Sequence, residues 1–157
     1  MTVTRTIRVQ PQAFDAGHAA AALTVGRTDV GALVSFVGLC RDEAGRLAAL
    51  ELEHYPGMAE AELERIAAEA ESRWPLLGLT VVHRYGKIAP GEPIVLVAAT
   101  SAHRAAAFAA AEFIMDFLKS RAPFWKKEHR ADGTAGAWVE AKDADEQALA
   151  RWQRPQG

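Results

Sequence analysis

The chain has 157 residues, half of them hydrophobic and 24% charged, with a formal net charge of −2 at pH 7. This composition is typical of one globular domain, so we expect a single domain over residues 1–157 with a short flexible tail at about 153–157. The low net charge disfavours a general nucleic-acid binder, which usually carries a strong basic excess, and the single cysteine excludes an internal disulfide.

No stretch of the sequence has the pattern of a secretory signal or a membrane span. The first twelve residues contain no apolar core of signal-peptide length. The longest apolar runs, such as Ala105–Ala111, are far too short to cross a bilayer. We therefore expect a cytoplasmic protein without a membrane partner.

Patterns in the first half of the chain predict three strands and a short helix. Thr4–Val9 alternates polar and apolar residues, as an edge strand does, and the alanine-rich Ala13–Leu23 indicates a helix. Gly31–Leu39 is nearly all apolar or small, which predicts a strand buried on both faces. Leu47–His54 has leucines on one face and glutamates on the other, so we expect a half-buried strand that forms a hairpin with its predecessor.

The rest of the chain, from residue 59 onward, alternates predicted helices and strands, with a turn-rich segment at 86–91. In order, these are a helix over Ala59–Trp74, strands over Leu79–Arg84 and Pro93–Thr100, a long helix within Thr100–Lys127, a short strand over Ala137–Ala141 and a last helix from about Asp143 that Trp152 can anchor. Interleaved elements with hairpin-length gaps predict a compact α+β or mixed α/β domain.

The long helix concentrates the unusual charge of the chain. Ser101 is its expected N-cap and Pro123 ends it. His103 and Arg104 fall in its first turn, where free backbone N–H groups attract anions, so this end predicts an anion site. The other end is strongly basic, with a single acid between residues 119 and 130, Glu128.

Lys119 is the strongest catalytic candidate. It lies one helical step past Met115, at the border of the apolar stripe, so partial desolvation of its amine would suit it to nucleophilic or acid–base work. The C-terminal end of the helix dipole has the opposite effect on this amine, and the sequence leaves the balance open. Lys126 lies beyond the proline, on a predicted loop that could fold back alongside Lys119. For any one lysine, simple complementation of the helix dipole stays open as an alternative.

The two ends of the long helix cannot serve one small ligand within a single chain. His103 and Lys119 are sixteen residues apart, which is about 24 Å on a continuous helix. If both ends belong to one site, that site must combine two chains, most simply across a two-fold axis.

Other reactive side chains have simpler explanations. Arg41 beside Cys40 would favour a thiolate, but a buried cysteine at a strand end is the more common case and the one we favour. His54 and Tyr55 could be polar pocket residues, but simple packing within a loop is the interpretation that we favour. No Gly-rich phosphate loop or metal-ligand spacing is present, so no metal site is predicted.

Six segments together resemble the large, catalytic subunit of molybdopterin synthase over about residues 5–152: LEHYPGM, RWPL, TSAHR, FIMDFLK, RAPFWKKE and WVEA. The resemblance implies an α/β hammerhead-type fold with a mixed or antiparallel sheet and a long central helix. It implies a sulfurtransferase that builds the dithiolene of molybdopterin on cyclic pyranopterin monophosphate (precursor Z), in molybdenum cofactor biosynthesis. It implies no metal or other cofactor.

The resemblance also implies partners and site residues. Sulfur would come from the C-terminal Gly-Gly thiocarboxylate of a small ubiquitin-like subunit, within a heterotetramer built on a homodimer of large subunits. Lys119 and Lys126 match the catalytic lysines, and the implied substrate-binding residues are Arg41, His103, Arg104, Met115 and Lys142. Two departures affect substrate contacts: Leu39-Cys40 replaces a run that is often basic or polar, and Lys142 stands where arginine is often found.

Two other functions remain as alternatives. A non-catalytic scaffold of the same fold could bind a ubiquitin-like partner, although both lysines are intact. A small RNA-binding domain could use the basic segment 119–130, but the chain lacks a base-stacking aromatic pattern and a basic excess.

Overall fold

The computed structural model describes residues 3–121, 123–139 and 143–152, so the expected tail at 153–157 and Lys142 lie outside the described residues. The elements are β1 (Thr4–Gln10), α1 (Ala16–Ala21), β2 (Ala32–Leu39), β3 (Leu47–His54), α2 (Met58–Arg73), β4 (Leu76–Arg84), β5 (Gly86–Ile88), β6 (Pro93–Ser101), α3 (Arg104–Ser120), β7 (Phe124–Arg130) and α4 (Asp143–Ala150). The predicted mixed α/β class is confirmed. None of the described helices is both long and apolar enough to span a bilayer.

A four-stranded sheet with the order β1-β4-β6-β2 forms the centre of the fold. β1 is parallel to β4, the other pairs are antiparallel, and β1 is the edge strand predicted from its alternation. The helices α2 and α3 cover one face and α1 covers the other, each through its own apolar cluster. Four alanines on α3 are almost fully buried, and their small side chains let the helix pack closely: Ala106, Ala107, Ala110 and Ala111.

The prediction that β2 is buried on both faces is wrong. β2 is the second edge of the sheet, and three of its apolar side chains are exposed in the single chain: Leu33, Phe36 and Leu39. The apolar sequence of β2 therefore does not reflect burial within the single chain. An exposed apolar edge of this kind is typical of a surface that meets another protein.

The predicted hairpin of β2 and β3 is also wrong, because β3 belongs to a second sheet with the order β5-β3-β7. β3 pairs antiparallel with β5, which lies in the segment predicted as turns, and with β7. A small apolar cluster of Cys40, Leu52 and Ile88 lies beneath this sheet. The predicted strand at 137–141 is reduced, in its described part, to one bridge between Val139 and Lys126.

The long central helix is confirmed as the unbroken α3, but its N-cap differs from the prediction. Ser101 is the last residue of β6, where its hydroxyl donates to the Pro75 carbonyl oxygen at 2.7 Å, and His103 is the N-cap. The predicted anchoring of the last helix is confirmed. The Trp152 indole N–H donates to Asp116 on α3 at 2.6 Å, and its ring packs edge-on against Phe113.

Candidate active site

The chain brings Lys119 and Lys126 together from two different elements. Lys119 lies in the last turn of α3, and Lys126 lies on β7, a strand rather than the predicted loop. Both lysines line the same two neighbouring cavities. Lys126 is half-buried, whereas Lys119 is exposed in the single chain, so partial desolvation of Lys119 is absent there.

The first cavity is small and mostly apolar, with a volume of about 150 Å³. Apart from the lysines its walls include His83 and a ring of apolar side chains that contains Met115 and Phe124. This volume lies well below the roughly 300–1,000 Å³ of ordinary small-molecule pockets. The cavity therefore suits a narrow chain segment better than a compact ligand.

The second cavity is larger, about 550 Å³, and polar. Five basic residues and two acidic ones line it: Arg41, Arg46, Lys119, Lys126, Arg130, Glu43 and Glu128. Arg41 is tied to Glu43 by a salt bridge. The excess of basic side chains makes this cavity suited to an anionic ligand.

His83 is a buried histidine that the sequence analysis missed. Its ring stacks on Phe124 with centroids 3.8 Å apart, and its Nδ1 lies 2.8 Å from the Arg84 carbonyl oxygen, a contact that requires a proton on Nδ1. Burial lowers the pKa of His83 to about 4, and the charge of Lys119 acts in the same direction. A histidine inside the apolar run LTVVHR was the signal available in the sequence.

Cys40 has the structural role favoured from the sequence. It is buried beneath the second sheet, and its thiol lies 3.7 Å from the Ile88 carbonyl oxygen. Burial raises the pKa of the Cys40 thiol, which disfavours the nucleophilic thiolate. His54 is likewise buried, packed against Tyr85 with ring centroids 4.1 Å apart.

His103 and Arg104 lie at the opposite end of α3 from the lysines, and both are exposed. Because α3 is continuous, His103 and Arg104 of one chain lie a full helix length away from the lysine pair of the same chain. Met115 lines the small cavity, and Arg41 lines the large polar one. Across the described residues, no group of three or more metal-ligating side chains is placed to hold an ion.

Aromatic side chains form a rim beside the small cavity. Tyr55 packs edge-on against Trp125 with centroids 4.8 Å apart, and Lys127 lies 4.8 Å from the centre of the Trp138 ring. Tyr55 and Trp138 are exposed. Exposed aromatics beside a narrow cavity are typical of a protein-binding surface.

Comparison with known proteins identifies the relatives of this chain. The family model described as MoaE protein matches residues 9–121. The molybdopterin synthase catalytic subunit of Mesorhizobium japonicum is 72% identical over 147 residues, which cover 94% of this chain and 92% of that protein. Among solved structures, the molybdopterin biosynthesis MoaE protein of Burkholderia ambifaria MC40-6 is 50% identical, with a TM-score of 0.81 over 97% of this chain and 100% of that one.

A more distant structure, molybdopterin synthase from Staphylococcus aureus, is 29% identical with a TM-score of 0.75 and covers 84% of this chain and 95% of that one. The family match spans well over half of the sequence, and the chain therefore belongs to the MoaE family. The expected enzyme, the catalytic subunit of a molybdopterin synthase, is confirmed by these relatives.

Proposed function

We propose that the lysine pair is the reaction centre at which sulfur passes from a small-subunit thiocarboxylate to precursor Z. One observation carries the proposal: Lys119 and Lys126 line both cavities, so they lie where the two meet. A two-substrate reaction needs such a junction. The relatives are named catalytic subunits, and a subunit implies a second chain.

The two cavities suit the two substrates. A Gly-Gly tail has no side chains, so it fits the narrow apolar cavity of about 150 Å³, and the aromatic rim beside it offers a surface for the body of the small subunit. The cation-lined cavity of about 550 Å³ suits a phosphorylated pterin. Each substrate thus reaches the lysines from its own side.

The lysines supply charge and protons to the transfer. An ammonium group beside the thiocarboxylate stabilises the negative charge that develops when its carbonyl carbon is attacked. The thiocarboxylate sulfur bonds to a carbon of the pterin side chain as a C–O bond of that carbon breaks, and the displaced oxygen leaves with a proton. Water then attacks the carbonyl carbon of the tail and cleaves it from sulfur, so the small subunit leaves as a carboxylate. The second lysine can move the proton that this hydrolysis requires.

A homodimer would complete the site with His103 and Arg104. The edge strand β2 begins at Ala32, which pairs with Ser101 near these residues, and it ends at Leu39, which lines both cavities. Its eight residues span about 26 Å, close to the 24 Å between the ends of α3. Two antiparallel copies of β2 about a two-fold axis would therefore bring His103 and Arg104 of each chain to the partner's lysines.

The exposed apolar side chains of β2 support this dimer. Phe36 is 42% exposed and Leu39 is 56% exposed in the single chain, and Phe108 of α3 is 60% exposed. Exposed apolar patches on a soluble domain commonly mark protein interfaces. The heterotetramer and the cytoplasmic location implied by the sequence stay predictions.

Reconstitution tests the proposal. Purified chain, thiocarboxylated small subunit and precursor Z are combined, and molybdopterin formation is measured for wild type, Lys119→Ala and Lys126→Ala. We expect each variant to lose at least about a hundredfold in turnover while still binding the small subunit. Lys87→Ala, an exposed lysine on β5 outside both cavities, is the matched control and should keep wild-type activity.

Two results would contradict the proposal. Full activity in both cavity variants would remove the lysines from the chemistry. A wild type that binds the small subunit but forms no product would instead support the scaffold alternative.

A further inference from the structure

The large cavity contains two arginines that neither the lysine chemistry nor the predicted substrate residues use. Arg46 and Arg130 line it together with both lysines, and neither was singled out as a substrate-binding residue from the sequence. They belong to neighbouring positions at one end of the β3–β7 pairing. Leu47 pairs with Arg130, and the Ala131 N–H donates to the Arg46 carbonyl oxygen at 2.8 Å.

Neither of these two arginines is held in a close salt bridge, although Glu43 and Glu128 line the same cavity and the charge of Arg130 acts on Asp132. Within residues 3–121, 123–139 and 143–152, neither Arg46 nor Arg130 takes part in an ion pair, whereas Arg41 at the same cavity is bound to Glu43. The one side-chain hydrogen bond that Arg130 makes in this part of the chain is to the Thr134 hydroxyl, at 3.2 Å. Arg46 and Arg130 share the cavity with the positive charges of both lysines, so an anion bound there would relieve the repulsion among these groups.

We propose that Arg46 and Arg130 form the phosphate-binding end of the substrate cavity. The guanidinium group binds phosphate oxygens through paired, charge-assisted hydrogen bonds, which a lysine cannot reproduce. A phosphate held there leaves the pterin to extend toward Lys119 and Lys126 in the same cavity. This inference rests on the proposed function, since it assigns the phosphate of the same substrate.

The phosphate-binding residues and the two lysines then belong to the same chain. His103 and Arg104, which lie at the far end of α3, would then act on the pterin of the partner's site or on its orientation, and the phosphate would not depend on them. Arg46 and Arg130 are positioned by the polar turn before β3 and by the end of β7. Both side chains are exposed at the cavity mouth, where a ligand can reach them.

Substitution of both arginines tests the proposal through affinity and turnover together. Arg46→Gln and Arg130→Gln are prepared singly and combined, and binding of precursor Z is measured by titration calorimetry alongside steady-state kinetics. Each single change should raise the dissociation constant and KM about tenfold, the effect of losing one charge-assisted hydrogen bond, with kcat unchanged. Inorganic phosphate should compete with precursor Z in wild type and lose this effect in the double variant.

Arg8→Gln is the control, because Arg8 is an exposed arginine on the opposite edge strand β1. The proposal is overturned if the cavity variants bind precursor Z within twofold of this control. It is also overturned if they lower kcat alone, or if they weaken binding of the small subunit instead. The binding titration gives its answer even if wild type proves inactive, so failure of the proposed function would be recognised separately.

Discussion

His83 should make the stability of the folded chain depend on pH. Its pKa is about 4 in the folded chain and 6.5 for an unperturbed histidine, because burial penalises the charged ring. Below pH 6.5 the unfolded chain therefore binds a proton that the folded chain does not. The stability contributed by the neutral ring is complete above that pH and is lost as the pH falls toward 4.

The difference between the two pKa values sets the size of the effect. Between pH 7 and pH 5 the linkage relation gives a loss of about 2 kcal/mol in the free energy of unfolding from His83 alone. Urea unfolding at both pH values measures this for wild type and for His83→Gln, which keeps a hydrogen-bond donor but cannot titrate. We expect wild type to lose about 2 kcal/mol more than the variant over this interval.

A matched variant isolates the buried ring from other titrating groups. His18→Gln removes an exposed histidine on α1 and should show the pH dependence of wild type. The reasoning is refuted if wild type and His83→Gln lose equal stability between the two pH values. Such a result would mean that His83 takes up its proton in the folded cavity as easily as in water.

Three further substitutions test other parts of the structure. Cys40→Ser should keep turnover within about threefold and cost about 1–3 kcal/mol in stability, because the thiol is buried and its raised pKa disfavours the thiolate; inactivity of a folded variant would contradict this. Gly31→Ala should cost about 1–3 kcal/mol by urea unfolding, since its Cβ would lie 2.0 Å from the Ala102 carbonyl oxygen; wild-type stability would show that this approach can relax. Phe36→Asp should give monomers in analytical ultracentrifugation, whereas Val25→Asp, at another exposed apolar position, should not.

The helices could be predicted from the sequence because their signals are local. The apolar periodicity of α2 placed it at 59–74 against the observed Met58–Arg73, and α3 was placed within its correct stretch. β3 was predicted with its observed bounds for the same reason, since alternation along one strand is visible without knowing its neighbours.

Strand pairing could not be predicted in this way, because a pairing depends on residues far apart in the chain. Leu52 lies opposite Lys126, and nothing near either residue indicates the other. The continuous apolar character of β2 was interpreted as burial within the chain, yet this strand is an edge. A second copy of the chain packed against β2 would bury these apolar side chains. The apolar character of the strand would then reflect burial in a dimer, which the sequence of one chain does not distinguish from burial in its own core.

The end of the helix before Pro123 explains how two lysines seven residues apart come to line the same cavities. On a continued helix they would lie about 10 Å apart along the axis, both at the same side of one cylinder. Instead α3 ends at Ser120, and β7 starts at Phe124 and pairs with β3. The second sheet thus closes over the end of α3, so that Lys126 meets Lys119 from a separate wall. The proposed reaction centre between the two cavities requires walls of this kind, and Pro123 is the local signal in the sequence for the end of the helix.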